Sequence, residues 1–285
     1  MSNHAENNDS NSDSSIEKET LKDISKHLVS DSVQEKAPAK IESIAKKEVV
    51  HNSTEILISK LIKFFTSHGG CDNALMLIQY SSKILVWLLM RSPKRQGAAK
   101  RLASLSAILS DYRICARVTD FFPLYISSIH TIVKPPPNRL LQLTTTIQSV
   151  SMMLFYPLER TYWLAMHGII PMSVQTIGKV AISSVRFWAI WVLFNFLRLG
   201  INYRDLMARR AQIIASKSSS AETMQKELEE VNSQVTTWKR SMVNNLAYFP
   251  LTLHWSFPNT IVTDVMVGIL GTIAGVSSAM NRWNS

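Results

Sequence analysis

Few residues in this 285-residue chain stand where they could do covalent or acid–base chemistry. Gly178-Lys179 is followed by Val180 and has no glycine five residues earlier, so the loop that cradles phosphate is absent. Gly275-Val276-Ser277-Ser278-Ala279 has the outline of a nucleophile elbow, but it lies in an apolar helical run with no strand ahead of it. His68 and Asp72 stand four apart across Gly69-Gly70, and His254 meets no acidic residue until Asp264, so neither forms an acid–base pair or a metal site. No catalytic residue, metal or cofactor is expected, and the chain reads as a non-enzyme. Cys71 and Cys115 are too few for a disulfide framework or structural zinc; they suit a reducing compartment, each as a small core residue.

The remaining chemistry is electrostatic and interfacial. Lys100, Arg101, Arg113 and Arg117 lie in the run 97–121, whose period puts Leu102, Leu105, Ile108, Leu109, Tyr112 and Ala116 on one helical face. Ser106, Ser110, Arg113, Arg117 and Asp120 share the other. A surface-lying helix of this kind binds anionic headgroups at about 1 kcal/mol per Lys or Arg while its apolar side chains enter the acyl region. From the residues alone, the same pattern also describes a core-packed helix with a solvated charged face. Near the C-terminus, Gly271, Gly275 and Ala279 recur every four residues with Gly268 just ahead, a smooth strip for close helix contact within the chain or between copies.

The elements carrying these residues read as all-α, because no alternating run flanked by hairpin turns suggests a sheet. Residues 1–52 are poor in large apolar groups and are expected to form a disordered tail. They hold seven basic and ten acidic side chains, so the net charge of +10 rests on the remainder, which carries +13. Such a basic body beside apolar helices favours anionic lipid over nucleic acid, since no zinc-finger, RNA-binding or helix-turn-helix pattern accompanies it. In the region 53–134, Ser53 is expected to cap a helix that Gly69-Gly70 ends, and Asp72 to cap a second helix reaching Met90. Pro135-Pro136-Pro137 marks the main internal boundary. In the hydrophobic region 135–200, Leu140 to Tyr156 reads as a buried or interfacial helix and 180–199 as a candidate membrane span, with Arg186 as its weak point.

Residues 201–245 form a polar helical segment with an a/d seam at Met224, Leu228, Val231, Val235, Trp238 and Met242, short enough to pack within the chain. Residues 246–285 read as a C-terminal anchor whose span, 261–280, carries one charge, Asp264. Twenty residues at about 1.5 Å each match a hydrocarbon core of roughly 30 Å. The fold class is therefore a helical integral membrane protein with an amphipathic region and a glycine-bearing C-terminal span.

Four blocks in order resemble the peroxisomal biogenesis factor eleven family, most closely its fungal C-type branch. Gly70-Cys71-Asp72-Asn73-Ala74-Leu75-Met76-Leu77-Ile78-Gln79-Tyr80 is similar to the family's opening signature, and Ser110-Asp111-Tyr112-Arg113 through Arg117 and Asp120 to Pro123 to its basic amphipathic segment. Tyr156-Pro157-Leu158-Glu159 with Trp163-Leu164-Ala165 and His167-Gly168-Ile169-Ile170 resembles the middle block. Leu253-His254-Trp255-Ser256 and Gly268-Ile269-Leu270-Gly271-Thr272 resemble the C-terminal anchor.

The resemblance implies a peroxisomal membrane protein with both ends in the cytosol, which makes 53–134 a cytosolic region. It implies remodelling and elongation of the membrane before fission, self-association, and as partners anionic membrane lipids, other family members and the fission machinery. Lys100, Arg101, Arg113 and Arg117 would hold headgroups while Leu102, Leu105, Leu109 and Tyr112 enter the leaflet. A channel or solute-permeability role is the alternative, motivated by Arg186 and Asp264 in apolar segments. Two spans with cytosolic ends would place 201–260 in the lumen, whereas Arg204, Arg209 and Arg210 argue by the charge rule for the cytosol.

Overall fold

The computed structural model describes residues 54–216, 221–259 and 261–283, and every regular element among them is helical. The tail expected at 1–52 and the cap expected at Ser53 lie outside the described residues. The chain divides into two units, Met1–Ile62 and Lys63–Ser285. In the first, residues 54–62 are helical. The second holds α1 (His68–Leu89), α2 (Gln96–Ala116), α3 (Phe121–Val133), α4 (Arg139–Met166), α5 (Val174–Ala215), α6 (Ala221–Ser256) and α7 (Asp264–Trp283), with 3₁₀ turns at Pro93–Arg95 and Arg117–Asp120.

Local chemistry sets the boundaries, in places differently from expectation. Ser67, not Asp72, caps α1: its backbone is extended and its hydroxyl accepts from the Gly70 N–H at 3.1 Å. Gly69 and Gly70 sit inside the first turn of α1, where a side chain on Gly70 would collide with the Phe64 carbonyl. Asn138, directly after the three prolines, caps α4 by accepting from Leu140 N at 2.9 Å and Leu141 N at 3.3 Å. The prolines are thus a bend inside the second unit. Helix α4 then runs through Pro157 to Met166, beyond the expected end at Tyr156, and closes at Gly168, whose φ of 73° only glycine adopts freely. Helix α5 begins at the Ser173 cap and continues well past residue 199, so the candidate span is part of a 42-residue helix.

The most extensive packing joins α4 to α5 and α5 to α6; α1 lies between α2 and α7, and α6 also meets α7. The apolar core is Met76, Tyr80, Ala247, Leu251, Val267 and Ala274, beside an aromatic cluster in which Trp188 contacts Phe155, Tyr248 and Trp255. The a/d seam of α6 packs within the chain: Val231 is fully buried and Trp238 Nε1 donates to the Leu199 carbonyl at 2.8 Å.

Beside the apolar core the interior also holds polar side chains, and the exterior holds large apolar ones. Gln79, Arg113, Gln148, Asn195 and Asn245 are buried, while Ile108, Phe122, Ile126, Leu143, Leu193 and Leu246 are exposed. Scattered apolar surface is ordinary, but this many large apolar side chains exposed along helices that also bury amides mark a surface to be covered. Helices α5 and α7 are each long and apolar enough to cross a membrane.

Candidate membrane interface

The periodicity of α2 identifies which residues share a face, and the structure shows which way each face points. Arg113 is 6% exposed and points into the bundle. Its Nε and Nη2 donate to the two Asp72 carboxylate oxygens at 2.7 and 3.0 Å, and its Nη1 donates to Gln79 Oε1 at 2.6 Å. This fork uses the planar geometry that only arginine offers a carboxylate. Ser106, two turns earlier on the same face, donates to the Gln79 carbonyl at 3.0 Å. Arg117 Nη2 donates to Glu159 Oε1 at 2.8 Å, and Arg160 Nη1 reaches the Ile114 carbonyl. Trp163 Nε1 donates to Asp111 at 2.8 Å.

The face expected to meet headgroups through Arg113 and Arg117 is therefore the one that anchors α2 to α1 and α4. Buried carboxylates need partners, and these two arginines supply them. For Asp72, burial works against the charged form, but Arg113's hydrogen bonds and charge outweigh it and hold the carboxyl below its ordinary value of 3.8. The pair's contribution to stability is then full above that value and fades only as pH falls through the lower folded value.

The opposite face is open. Lys100, Arg101, Leu105 and Tyr112 are exposed, Ile108 is 65% exposed, and Leu102 and Leu109 are half-buried. Cys115 lies on this open side, not in the core as expected, because of the same roll of the helix; Cys71 is half-buried. Helix α3 extends the surface with Phe122 at 67% and Ile126 at 68% exposure, plus Ile129 and Val133. Sequence reasoning missed α3 as part of the surface and missed Asp72, Gln79, Glu159 and Arg160 as anchors. Glu159-Arg160 behind a long apolar run in α4 was the available signal.

The glycine strip of α7 faces α1 within the same chain. A Cβ on Gly268 would stand 3.0 Å from Lys83 and Ile84, one on Gly275 2.9 Å from Leu77, and one on Gly271 would fall on the Tyr80 ring. Ala279 is half-buried. The charges that motivate a solute pathway have local roles: Arg186 Nε donates to the Ser256 carbonyl at 3.2 Å, and the exposed Asp264 opens α7. His68 pairs with Asp120 at 3.0 Å, not with Asp72. His254 Nδ1 accepts from the Ile261 and Val262 N–H groups, and the Ser277 hydroxyl donates to the Ile273 carbonyl. Among the described residues, no three His, Cys, Asp or Glu side chains stand together to hold a metal.

The family model for peroxisomal biogenesis factor 11 matches residues 58–283. No curated protein and no solved structure matches the chain.

Proposed function

The chain belongs to the peroxisomal biogenesis factor 11 family, and from that premise we propose that it elongates the peroxisomal membrane by seating the open face of α2 and α3 among the acyl chains of one leaflet. Family membership supports a role in peroxisome biogenesis and proliferation at the peroxisomal membrane. The observation that carries the mechanism is the row of exposed apolar side chains along α2 and α3, from Leu105 to Val133, with the polar back of α2 tied to α1 and α4. Apolar side chains of one leaflet's depth expand that leaflet alone and favour curvature. Lys100 and Arg101 hold anionic headgroups at the start of this surface, whereas Arg113 and Arg117 hold the helix in its roll. Both ends of the chain face the cytosol. Copies of the chain and other family members assemble so that many wedges act on one patch, and the fission machinery then acts on the elongated membrane.

Proteoliposomes containing anionic lipid test this. At about 1 kcal/mol per basic side chain near the surface, Lys100→Glu with Arg101→Glu loses at least about 2 kcal/mol of headgroup attraction, roughly thirtyfold in an equilibrium. Wild-type protein is expected to elongate the vesicles under electron microscopy. The double variant is expected to leave them round while melting within about 0.5 kcal/mol of wild type, because both residues are exposed. Equal elongation by the variant would remove Lys100 and Arg101 from the mechanism.

A further inference from the structure

Two helices, α5 and α7, are long and apolar enough to span, yet hydrogen bonds at the depth of those spans tie two more helices to them. Asn195 of α5 donates to Asn245 Oδ1 of α6 at 2.9 Å, and Asn245 Nδ2 donates back to the Val192 carbonyl of α5 at 3.1 Å. Gln148 of α4 donates to the Trp191 carbonyl at 3.2 Å, and Asn244 of α6 to the Ala274 carbonyl of α7 at 2.8 Å. Val192 and Asn195 lie within the apolar run 180–199 and Ala274 within 261–280. If α5 and α7 are in hydrocarbon, Gln148, Asn244 and Asn245 are at the same depth. Amide groups persist there when other helices satisfy them: Asn195, Asn244 and Asn245 are paired in this way, and Gln148 donates through Nε2 while its Oε1 has no protein partner.

The lengths agree. Residues 140–158 of α4 carry no Asp, Glu, Lys or Arg, nor do residues 241–263, which include the end of α6. At about 1.5 Å per residue, the α4 run is about 28 Å long and 241–256 of α6 about 24 Å, against a core of roughly 30 Å. Leu140, Leu143, Val150 and Leu154 of α4 and Val243 and Leu246 of α6 are exposed. Acyl chains are the cover that suits such charge-free faces at that depth.

We infer that α4 and residues 241–256 of α6 cross the bilayer beside α5 and α7, giving at least four crossings. The parts of α5 and α6 beyond them, 200–215 and 221–240, then lie on the same side as both ends of the Lys63–Ser285 unit. The geometry at that end supports it: Phe64 and Trp283 rings meet at 6.1 Å, the Arg282 side chain lies against Gly69, and Arg240 at the hairpin base donates to the Met280 carbonyl at 3.4 Å. The loop 167–173 and residues 257–259 and 261–263 lie at the other end, where Arg186 meets Ser256. Two crossings before the hairpin and two after it also reconcile cytosolic ends with the basic cluster Arg204, Arg209 and Arg210, which one crossing on each side would place in the lumen.

The inference rests on the chain being integral to the membrane, and the test separates the two. Single cysteines Ser233→Cys, Ile169→Cys, Asn259→Cys and Ser285→Cys are made in full-length protein with Cys71 and Cys115 replaced by Ser. Intact organelles are treated with a membrane-impermeant maleimide with and without detergent, beside alkaline extraction. Ser233→Cys and Ser285→Cys are expected to react without detergent, and Ile169→Cys and Asn259→Cys only with it. Protection of Ser233→Cys while Ser285→Cys reacts would overturn the inference and restore two crossings. Reaction at all four without detergent would overturn it too; if alkali also released the protein, the membrane reading itself would fall.

Discussion

Arg113→Glu is expected to abolish the folded, inserted protein, with an effect larger than that of any exposed charge in α2. The guanidinium is buried and makes three hydrogen bonds, two to Asp72 and one to Gln79. Removing one partner of a buried pair costs about 3–5 kcal/mol, and a second carboxylate beside Asp72 adds repulsion. Against a typical total of about 5–15 kcal/mol, that unfolds or strands much of the protein. Melting in detergent and the level of integral protein measure it. The swap Asp72→Arg with Arg113→Asp restores opposite charges and is expected to recover part of the loss, which an interaction with lipid would not. Arg113→Glu protein that inserts and melts like wild type would contradict the inward anchor. Loss of membrane elongation in Arg113 and Arg117 variants therefore reports the anchor, and Lys100 and Arg101 are the residues that test headgroup contact.

Gly271→Val is expected to open the seam between α1 and α7. The Cβ alone would fall on the root of the Tyr80 ring, which cannot swing aside because Tyr80 is itself buried in the core. Overpacking of this kind costs about 1–3 kcal/mol, and the branched methyls push it to the upper end. Gly178→Ala is the control, because nothing lies within 4 Å of a side chain there, so removing a helical glycine gains up to about 1 kcal/mol. A cross-link between Leu77→Cys and Gly275→Cys, formed in wild-type background and lost with Gly271→Val, would locate the damage. Unchanged melting with Gly271→Val would show that α1 and α7 do not meet closely.

Much of this architecture is legible in the residues, and what is not has a physical reason. Period 3.6 places Leu105, Ile108 and Tyr112 together whatever surrounds them, but periodicity does not say whether the apolar side meets core or solvent. In water the apolar side turns in; here the polar side turns in, because Asp72, Gln79 and Glu159 wait for it on helices about forty residues away in the chain. Asp72 reads as a cap from its place after two glycines, and only the fold reveals Ser67 in that role with Asp72 freed for Arg113. The helical break suggested by Pro157 does not occur, because α4 is held by neighbours on both sides of the proline. The glycine strip is readable as a close-contact surface; that it meets α1 of the same chain is decided by Leu77, Tyr80 and Lys83, which no local pattern connects to it.

The central claim is a dose-dependent action on one organelle, and live imaging of the tagged full chain beside a peroxisomal marker tests it most directly. At native level the protein is expected to ring the peroxisomes, and in excess to lengthen or multiply them, with the Lys100→Glu, Arg101→Glu form ringing them without changing their shape. A reticular, mitochondrial or diffuse pattern, or peroxisomes unchanged in number and length at every dose of wild-type protein, would contradict the account.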